Sequence, residues 1–310
     1  VSGDVRLKVL HVGAIEDFSP RVVNPAPKRR GEFVADIAIK TLTDIESLRR
    51  IETLQIEIWG GPPTDVVPAH QMKAAVSAGG AVIAAVEPDG AFVGFCYGFA
   101  GWRDRQPVFY SHMAGVKGVR QLQDIGFLLK SAQRETAIAM GYEHAVWTYD
   151  PLQSVNARFN LHKLGATANR YLVNYYGEMP DQLNQGTDSD RMEVDWALLA
   201  PRVEAAAAGR PDERSWDDTP RVLETVPWMG RSGPSDPVLG LSHPAVRLEV
   251  PTDFPAIRHR DPGLARAWRH ATRETFLDYF RRGFRAVDFA LTSGERLRGD
   301  YVLVRDPDAS

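Results

Sequence analysis

VRQLQDIGFLLKSAQRETAIAMGY, residues 119–142, reads as a turn feeding an amphipathic helix. Ile125, Leu128, Leu129, Ala132, Ala137 and Met140 recur at helical spacing and predict one buried stripe over residues 124–140. The turn ahead of it carries Gly118, Arg120, Gln121 and Asp124, with Gly126 just inside the helix. A helix start leaves four amide N–H groups without a partner, and its field favours negative charge. Glycines allow close backbone approach, and Arg120 and Gln121 add side-chain donors, so the stretch has the composition of a phosphate cradle. The plainer alternative is that the glycines only let the helix pack on a sheet.

Outward from this helix the chain alternates. A strand candidate at 37–40 precedes a helix beginning near Thr43, with Glu46 as capping-box partner and Gly60-Gly61 as its end. A short helix follows, closed by Gly79-Gly80. Two β-rich runs then flank Pro88-Asp89-Gly90, the sign of a hairpin. A third strand is expected at 108–116, a fourth at 145–149, a short helix in SVNARFNLHKLG and a further strand in ATANRYLVNYYG. The pattern gives one α/β domain with a mixed sheet over 35–199, after an irregular lead at 1–34. Residues 200–245, Ala-rich, then charged, then turn-rich, read as a linker. Residues 246–310 read as a small strand-helix-strand unit containing the longest helix of the sequence.

The net charge of −3, from 37 basic and 40 acidic residues, gives no footprint for nucleic acid. No apolar run reaches the length of a membrane span, and the first residues lack a signal-peptide core, so a cytoplasmic protein with no membrane partner is expected. The single cysteine, Cys96, lies in an apolar run and reads as a buried structural thiol. The eight histidines show no paired-ligand spacing, and no metal is expected. No GxGxxG follows the first strand, which disfavours nicotinamide chemistry.

The arrangement of strand, cradle, helix and strand resembles the GCN5-related N-acyltransferase (GNAT) superfamily. The family's cofactor motif is Gln or Arg, two residues, Gly, one residue, then Gly or Ala. QLQDIG matches it with Gln121 first and Gly126 last, and Asp124 replaces the middle glycine. An aspartate there is either a helix cap or an unfavourable neighbour for pyrophosphate. WTYDPLQSVNARFNLHKLG, YYGEMPDQLNQGTDSDRMEVDW and WRHATRETFLDYFRRGF resemble a branch of predicted acyltransferases associated with N-succinylamino acid racemases. The resemblance implies an α/β (α+β) fold, a GNAT-like mixed twisted sheet flanked by helices with a smaller C-terminal strand-helix-strand extension. It implies acyl-CoA, acetyl or succinyl, as co-substrate and a small-molecule amine or amino acid as acceptor. The oligomeric state is left open, a homodimer being one option.

It further implies that acyl-CoA sits where two central strands splay, with Val116 or Gly115 exposing an amide at a bulge. Val116, Gly118, Arg120, Gln121, Asp124, Ile125 and Gly126 would line the cofactor, and Asn156 and Asn160, at i and i+4, its pantetheine arm. Direct attack by an amine needs a base, a polarised carbonyl and a proton for the leaving thiolate. His112 and Glu57 are the candidate bases; a packing role for His112 and a solvated one for Glu57 stand beside these. The tyrosine that serves many family members as acid falls at Leu161, so Tyr171, Tyr175 or Tyr176 must substitute, Tyr175 being the choice. Arg191, and Arg269 with Arg273 on the terminal helix, could pair a substrate carboxylate. Internal pairs, Arg191 with Asp190 or the helix arginines with Glu274, would equally explain them.

Overall fold

The computed structural model describes residues 37–60, 62–118, 124–177, 188–293 and 297–305. The chain runs β1 (Ala38–Leu42), α1 (Ile45–Trp59), α2 (Ala69–Ser77), β2 (Ala81–Val86), β3 (Phe92–Arg103), β4 (Gln106–Val116), α3 (Ile125–Ala139) and β5 (His144–Tyr149). It continues with α4 (Ser154–Ala157), which runs into a π-helical turn (Arg158–Lys163), then β6 (Thr167–Leu172), β7 (Arg191–Ala197) and α5 (Pro201–Ala207). The remainder is β8 (Arg221–Leu223), β9 (Thr225–Trp228), β10 (Arg231–Pro234), β11 (Ala245–Val250), α6 (Phe254–Arg260), α7 (Pro262–Arg281), β12 (Phe284–Thr292) and β13 (Arg298–Arg305).

Eleven strands form one mixed, mostly antiparallel sheet in the order β1-β2-β3-β4-β5-β7-β6-β12-β13-β11-β8, and β9 and β10 form a separate hairpin. This is the mixed α/β architecture expected. The C-terminal strands extend the same sheet, joined to β6 at Ala286↔Ala168. Residues 200–245, read from sequence as a linker, hold a helix and three strands, and β8 pairs in parallel with β11. Turn residues in RSGPSDP suggested a loop, yet Arg231–Pro234 pairs with β9, and Gly233 lets that strand lie against the Trp228 side chain, whose Cβ is 2.6 Å from where a glycine Cβ would stand.

Two helical layers cover the first half of the sheet. On one face Leu48, Ile51 and Leu54 of α1 and Met72 of α2 pack on Val82, Phe95 and Tyr97. On the other, Ile125, Leu129 and Ala132 of α3 pack on Ile83, Val93 and Cys96. Cys96 is buried, and desolvation pushes its thiol up to about 12, as suits a packing residue. The start of α1 is capped by Asp44, which accepts from the Ser47 amide at 2.8 Å, one residue after the expected Thr43. Its end is the expected Gly60, in the left-handed region at φ 66°. Over the second half of the sheet lies α7, begun by Asp261, whose carboxylate accepts from the Leu264 amide at 3.1 Å, with Pro262 at its first position. No described helix is long and apolar enough to cross a membrane.

Candidate functional site

The feature that organises the site is a parting of two parallel strands. Among the described residues β4 and β5 pair only at Phe109↔Ala145 and Tyr110↔Val146. Beyond those pairs they diverge, each held by its other neighbour, β4 by β3 and β5 by β7. Ser111 and Trp147 are the first residues past the vertex. Backbone edges that face no strand can take an extended chain that carries amides. The opening lies at the carboxyl ends of parallel strands, where ligands bind in open α/β sheets.

A β-bulge sits at this vertex. Tyr97 pairs with Met113 and Gly98 with Ser111, so His112 has no partner on β3. Gly98 makes the bulge possible: a Cβ there would stand 2.3 Å from the Phe109 ring and 2.8 Å from the Tyr110 carbonyl. Sequence reading expected the bulge at Gly115 or Val116. Those residues are in regular register, opposite Phe95 and Gly94. Gly115 is glycine because Trp59 of α1 would meet a Cβ at 2.8 Å.

His112 lies with the rings of Tyr97, Phe99 and Tyr110, at centroid distances of 6.0, 5.7 and 6.4 Å. These rings remove water from one side of the imidazole, and its pKa falls below the ordinary value of 6.5. The residue is therefore neutral at neutral pH, with its outer edge exposed. Tyr110 faces Tyr175 and Tyr176, and burial together with those two hydroxyls raises its pKa. The Tyr175 and Tyr176 rings are 4.7 Å apart, Tyr176 Oη lies 3.2 Å from Thr148 Oγ1 of β5, and the Arg191 guanidinium stands 5.2 Å from the Tyr176 ring. Thus His112, Tyr175 and Arg191 come together around the parting through Tyr110, a residue sequence reading passed over. The signal was the period-two spacing of Tyr110 and His112.

Glu57 is not brought to this cluster. It pairs with Lys117 at 2.7 Å, five residues beyond His112, or about 16 Å at the rise of a strand. Arg269 and Arg273 are also paired within the protein. Arg269 forks onto Asp150 at 2.7 and 2.9 Å, and Arg273 holds Asp190 at 2.8 Å and Asp188 at 2.6 Å. The carboxylates they bind are the protein's own, from chain segments that pattern reading could not bring together. Asn156 and Asn160 differ in burial: Asn156 is exposed, while Asn160, in the π-helical turn, is buried and accepts from Trp147 Nε1 at 3.3 Å.

At the far end of the opening stands the start of α3. Arg120 and Gln121 lie outside the described residues. Gly118 has nothing within 4 Å of a Cβ position, and at Gly126 only the Phe159 ring comes near, at 3.8 Å. Among the described residues, packing therefore does not require either glycine. Asp124 occupies the N-cap position but caps nothing. It sits in the left-handed region at φ 55°, and its carboxylate is ion-paired to Lys163. Ile125 is fully buried against the sheet, which leaves only its backbone for a ligand.

The opposite face of the vertex holds a group that sequence reading missed. Lys130 of α3 is 3 % exposed. Its Nζ donates to Gln133 Oε1 at 2.6 Å and to Ser111 Oγ at 3.0 Å, and it lies 3.7 Å from the centroid of the Trp147 ring and 5.1 Å from that of Trp196. No carboxylate pairs with it among the described residues. Burial brings its pKa down to about 7, opposed weakly by the Cys96 thiol. Gln133, 1 % exposed, has no partner for Nε2 among the described residues. One signal was available: Lys130 precedes buried Ala137 by seven residues, close to two helical turns, and so shares its face.

No protein-family model matches the chain, and no curated protein matches it. Solved structures similar to it include acetyltransferases. An acetyltransferase of the GNAT family from Streptococcus pneumoniae is 12% identical, with 52% of this chain and 98% of that one covered and a TM-score of 0.43. Aminoglycoside 6'-acetyltransferase type Ii is 18% identical over 52% of this chain and 97% of its own, with a TM-score of 0.40. The NatC complex bound to Gag peptide and CoA has a chain 12% identical, covering 53% and 99%, with a TM-score of 0.41.

Proposed function

We propose that the protein is an acyl-CoA-dependent N-acyltransferase that moves an acetyl or succinyl group to the amine of a small molecule, an amino acid in the first instance. The observation that carries this reading is the parting of β4 from β5 with a bulge and a neutral histidine at its vertex. An extended substrate with amides along its length suits two diverging strand edges, and a pyrophosphate suits the start of α3. Val116, Gly118, Ile125 and Gly126 contribute backbone there, and Asn160 reaches the opening only through Trp147. Lys163 offsets the charge of Asp124, which removes the main objection to phosphate at that helix start.

In this reading His112 takes the proton of the attacking amine. Its lowered pKa keeps it unprotonated, and its exposed edge faces solvent and acceptor. Tyr110, Tyr175 and Tyr176 form the acceptor wall, and Arg191 beside Tyr176 gives that wall a positive charge suited to a carboxylate. Glu57 is left out, since Lys117 holds it.

The testing experiment measures free CoA release and product mass for acetyl- and succinyl-CoA against a panel of L- and D-amino acids. A gain of 42 or 100 mass units (about, by composition of the acyl groups) on one acceptor, lost with His112→Gln, is the expected result. A second reading, an acyl-CoA-binding protein without turnover, is favoured by the full burial of Leu161, which offers no acid after β5. Saturable CoA binding with no product from any acceptor would support it.

A further inference from the structure

The proposed transfer needs a proton for the departing thiolate, and the position after β5 offers only buried Leu161. The tyrosines do not fill the gap well. Tyr175 and Tyr176 lie on the His112 side of the vertex, where the attacking amine must approach, and Tyr171 is committed to Asp190 at 2.7 Å. A proton donor is best placed on the side from which sulfur leaves, opposite the amine. Lys130 is the titratable group that occupies that side. It bridges Ser111 of β4 and Trp147 of β5, the first residue of each strand past the last pair.

The surroundings of Lys130 are those of a proton donor. Its three N–H bonds as an ammonium have three acceptors, Ser111 Oγ, Gln133 Oε1 and the face of Trp147. The π face is the weakest of these, and the most readily exchanged for an anionic sulfur. A lysine kept only for structure would be expected to meet a carboxylate, as the equally buried Arg269 does. The groups facing it from adjacent elements are Ser111 of β4, Gln133 of its own helix, Trp147 of β5, Trp196 of β7 and, more distantly, Cys96 of β3. None is anionic at neutral pH, so a thiolate formed there would be the first negative charge the ammonium meets.

Resting on the acyltransferase reading, we infer that Lys130 is the general acid of the reaction, delivering its proton to the CoA sulfur from the α3 face of the sheet. The acceptor nitrogen forms its bond to the carbonyl carbon and loses a proton to His112. The carbon–sulfur bond breaks with its electron pair on sulfur. The Lys130 ammonium gives sulfur a proton and becomes a neutral amine. His112 then releases its proton to water and Lys130 regains one from water that enters the opening as the products leave, so free CoA thiol and the amide leave an unchanged enzyme. A lysine whose pKa lies near 7 is acidic enough to protonate a thiolate and basic enough to be recharged at neutral pH.

The test compares two thioesters that differ in their need for a proton, acetyl-CoA and S-phenyl thioacetate, whose aryl thiolate leaves unaided. Lys130→Met is expected to lower kcat with acetyl-CoA by about a hundredfold, with KM for acetyl-CoA within about threefold, and to change turnover of S-phenyl thioacetate by less than about threefold. Equal losses with both thioesters would show a structural role and overturn the inference, as would full activity of the variant with acetyl-CoA. A measurement on the wild type serves should the variant not fold. kcat with acetyl-CoA is expected to decline on the alkaline side as Lys130 loses its proton, and kcat with S-phenyl thioacetate is expected not to. The same alkaline decline with both esters overturns the inference. Wild-type silence with both esters and every amine sinks the acyltransferase reading itself, a different failure from an active wild type matched by Lys130→Met.

Discussion

The two halves of the sheet treat buried cations in opposite ways. Under α7, Arg269 and Arg273 are each neutralised by aspartates, and on the neighbouring strands Arg221 and Arg247 share Asp300 at 2.8 and 3.7 Å. Burial disfavours Arg269 as an ion, yet Asp150 more than compensates and its pKa rises. Under α3, Lys130 is as deeply buried but meets only a hydroxyl, an amide and two indoles, and its pKa falls. The C-terminal half spends its charge on holding the chain together: Arg269 and Arg273 tie α7 to segments more than eighty residues away. The N-terminal half pairs its outer charges, Glu57 with Lys117 and Asp124 with Lys163, but leaves the buried Lys130 without a carboxylate beside an opening between strands. Neutralised pairs mark a scaffold; an uncompensated one next to a gap marks a place where a ligand completes the electrostatics.

That contrast can be broken most sharply at Arg269. Arg269→Met leaves Asp150 charged and buried, and is expected to cost about 3–5 kcal/mol in urea unfolding. The double replacement Arg269→Met with Asp150→Leu should recover most of that loss. A loss under 1 kcal/mol for the single variant would mean that the pair does not hold α7. In the other half, His112→Gln is expected to leave stability within about 0.5 kcal/mol while lowering kcat/KM for the acceptor by about a hundredfold. The acid limb of the wild-type rate profile should lie below pH 6.5, because His112 protonates only below its ordinary value. An acid limb above that value would place the base elsewhere.

Lys130 gives an effect of opposite sign. Its pKa is about 7 folded against 10.5 unfolded, so between those values the unfolded chain binds more protons. Stability must then rise with pH across that window, by at most about 1.4 kcal/mol per unit, with the penalty of the buried charge fully present below pH 7. Subtracting the profile of Lys130→Met from that of the wild type isolates this slope in denaturant titrations, and a flat difference would show Lys130 to be solvated. The smallest effect is expected at Asp124. Asp124→Gly relieves a left-handed residue and breaks an exposed ion pair, changes that nearly cancel in stability, to within about 1 kcal/mol. It removes a negative charge from the helix start, and calorimetry should show CoA binding a few-fold tighter. Weaker binding would mean that Asp124 serves the ligand.

Local pattern was enough for much of this. The stripe on α3, the hairpin at Pro88-Asp89-Gly90, the glycine end of α1 and the burial of Cys96 each follow from spacing or from conformations that only a few residues adopt. The QLQDIG stretch pointed to the end of the site, although Arg120 and Gln121 fall outside the described residues. What pattern could not supply was anything that depends on register or on a distant partner. A bulge at His112 depends on how β3 and β4 align, and a one-residue shift moves it. The burial of Asn160 turns on Trp147, a partner from another segment that helical counting cannot foresee. Likewise, local pattern offers for Lys130 no more than a helix face shared with Ala137. Only the divergence of β4 from β5 shows that face turned to an interior vertex, where water is excluded and no carboxylate is at hand. Periodicity is a property of one segment; burial and charge balance are properties of all the segments that meet, and those the tertiary structure alone decides.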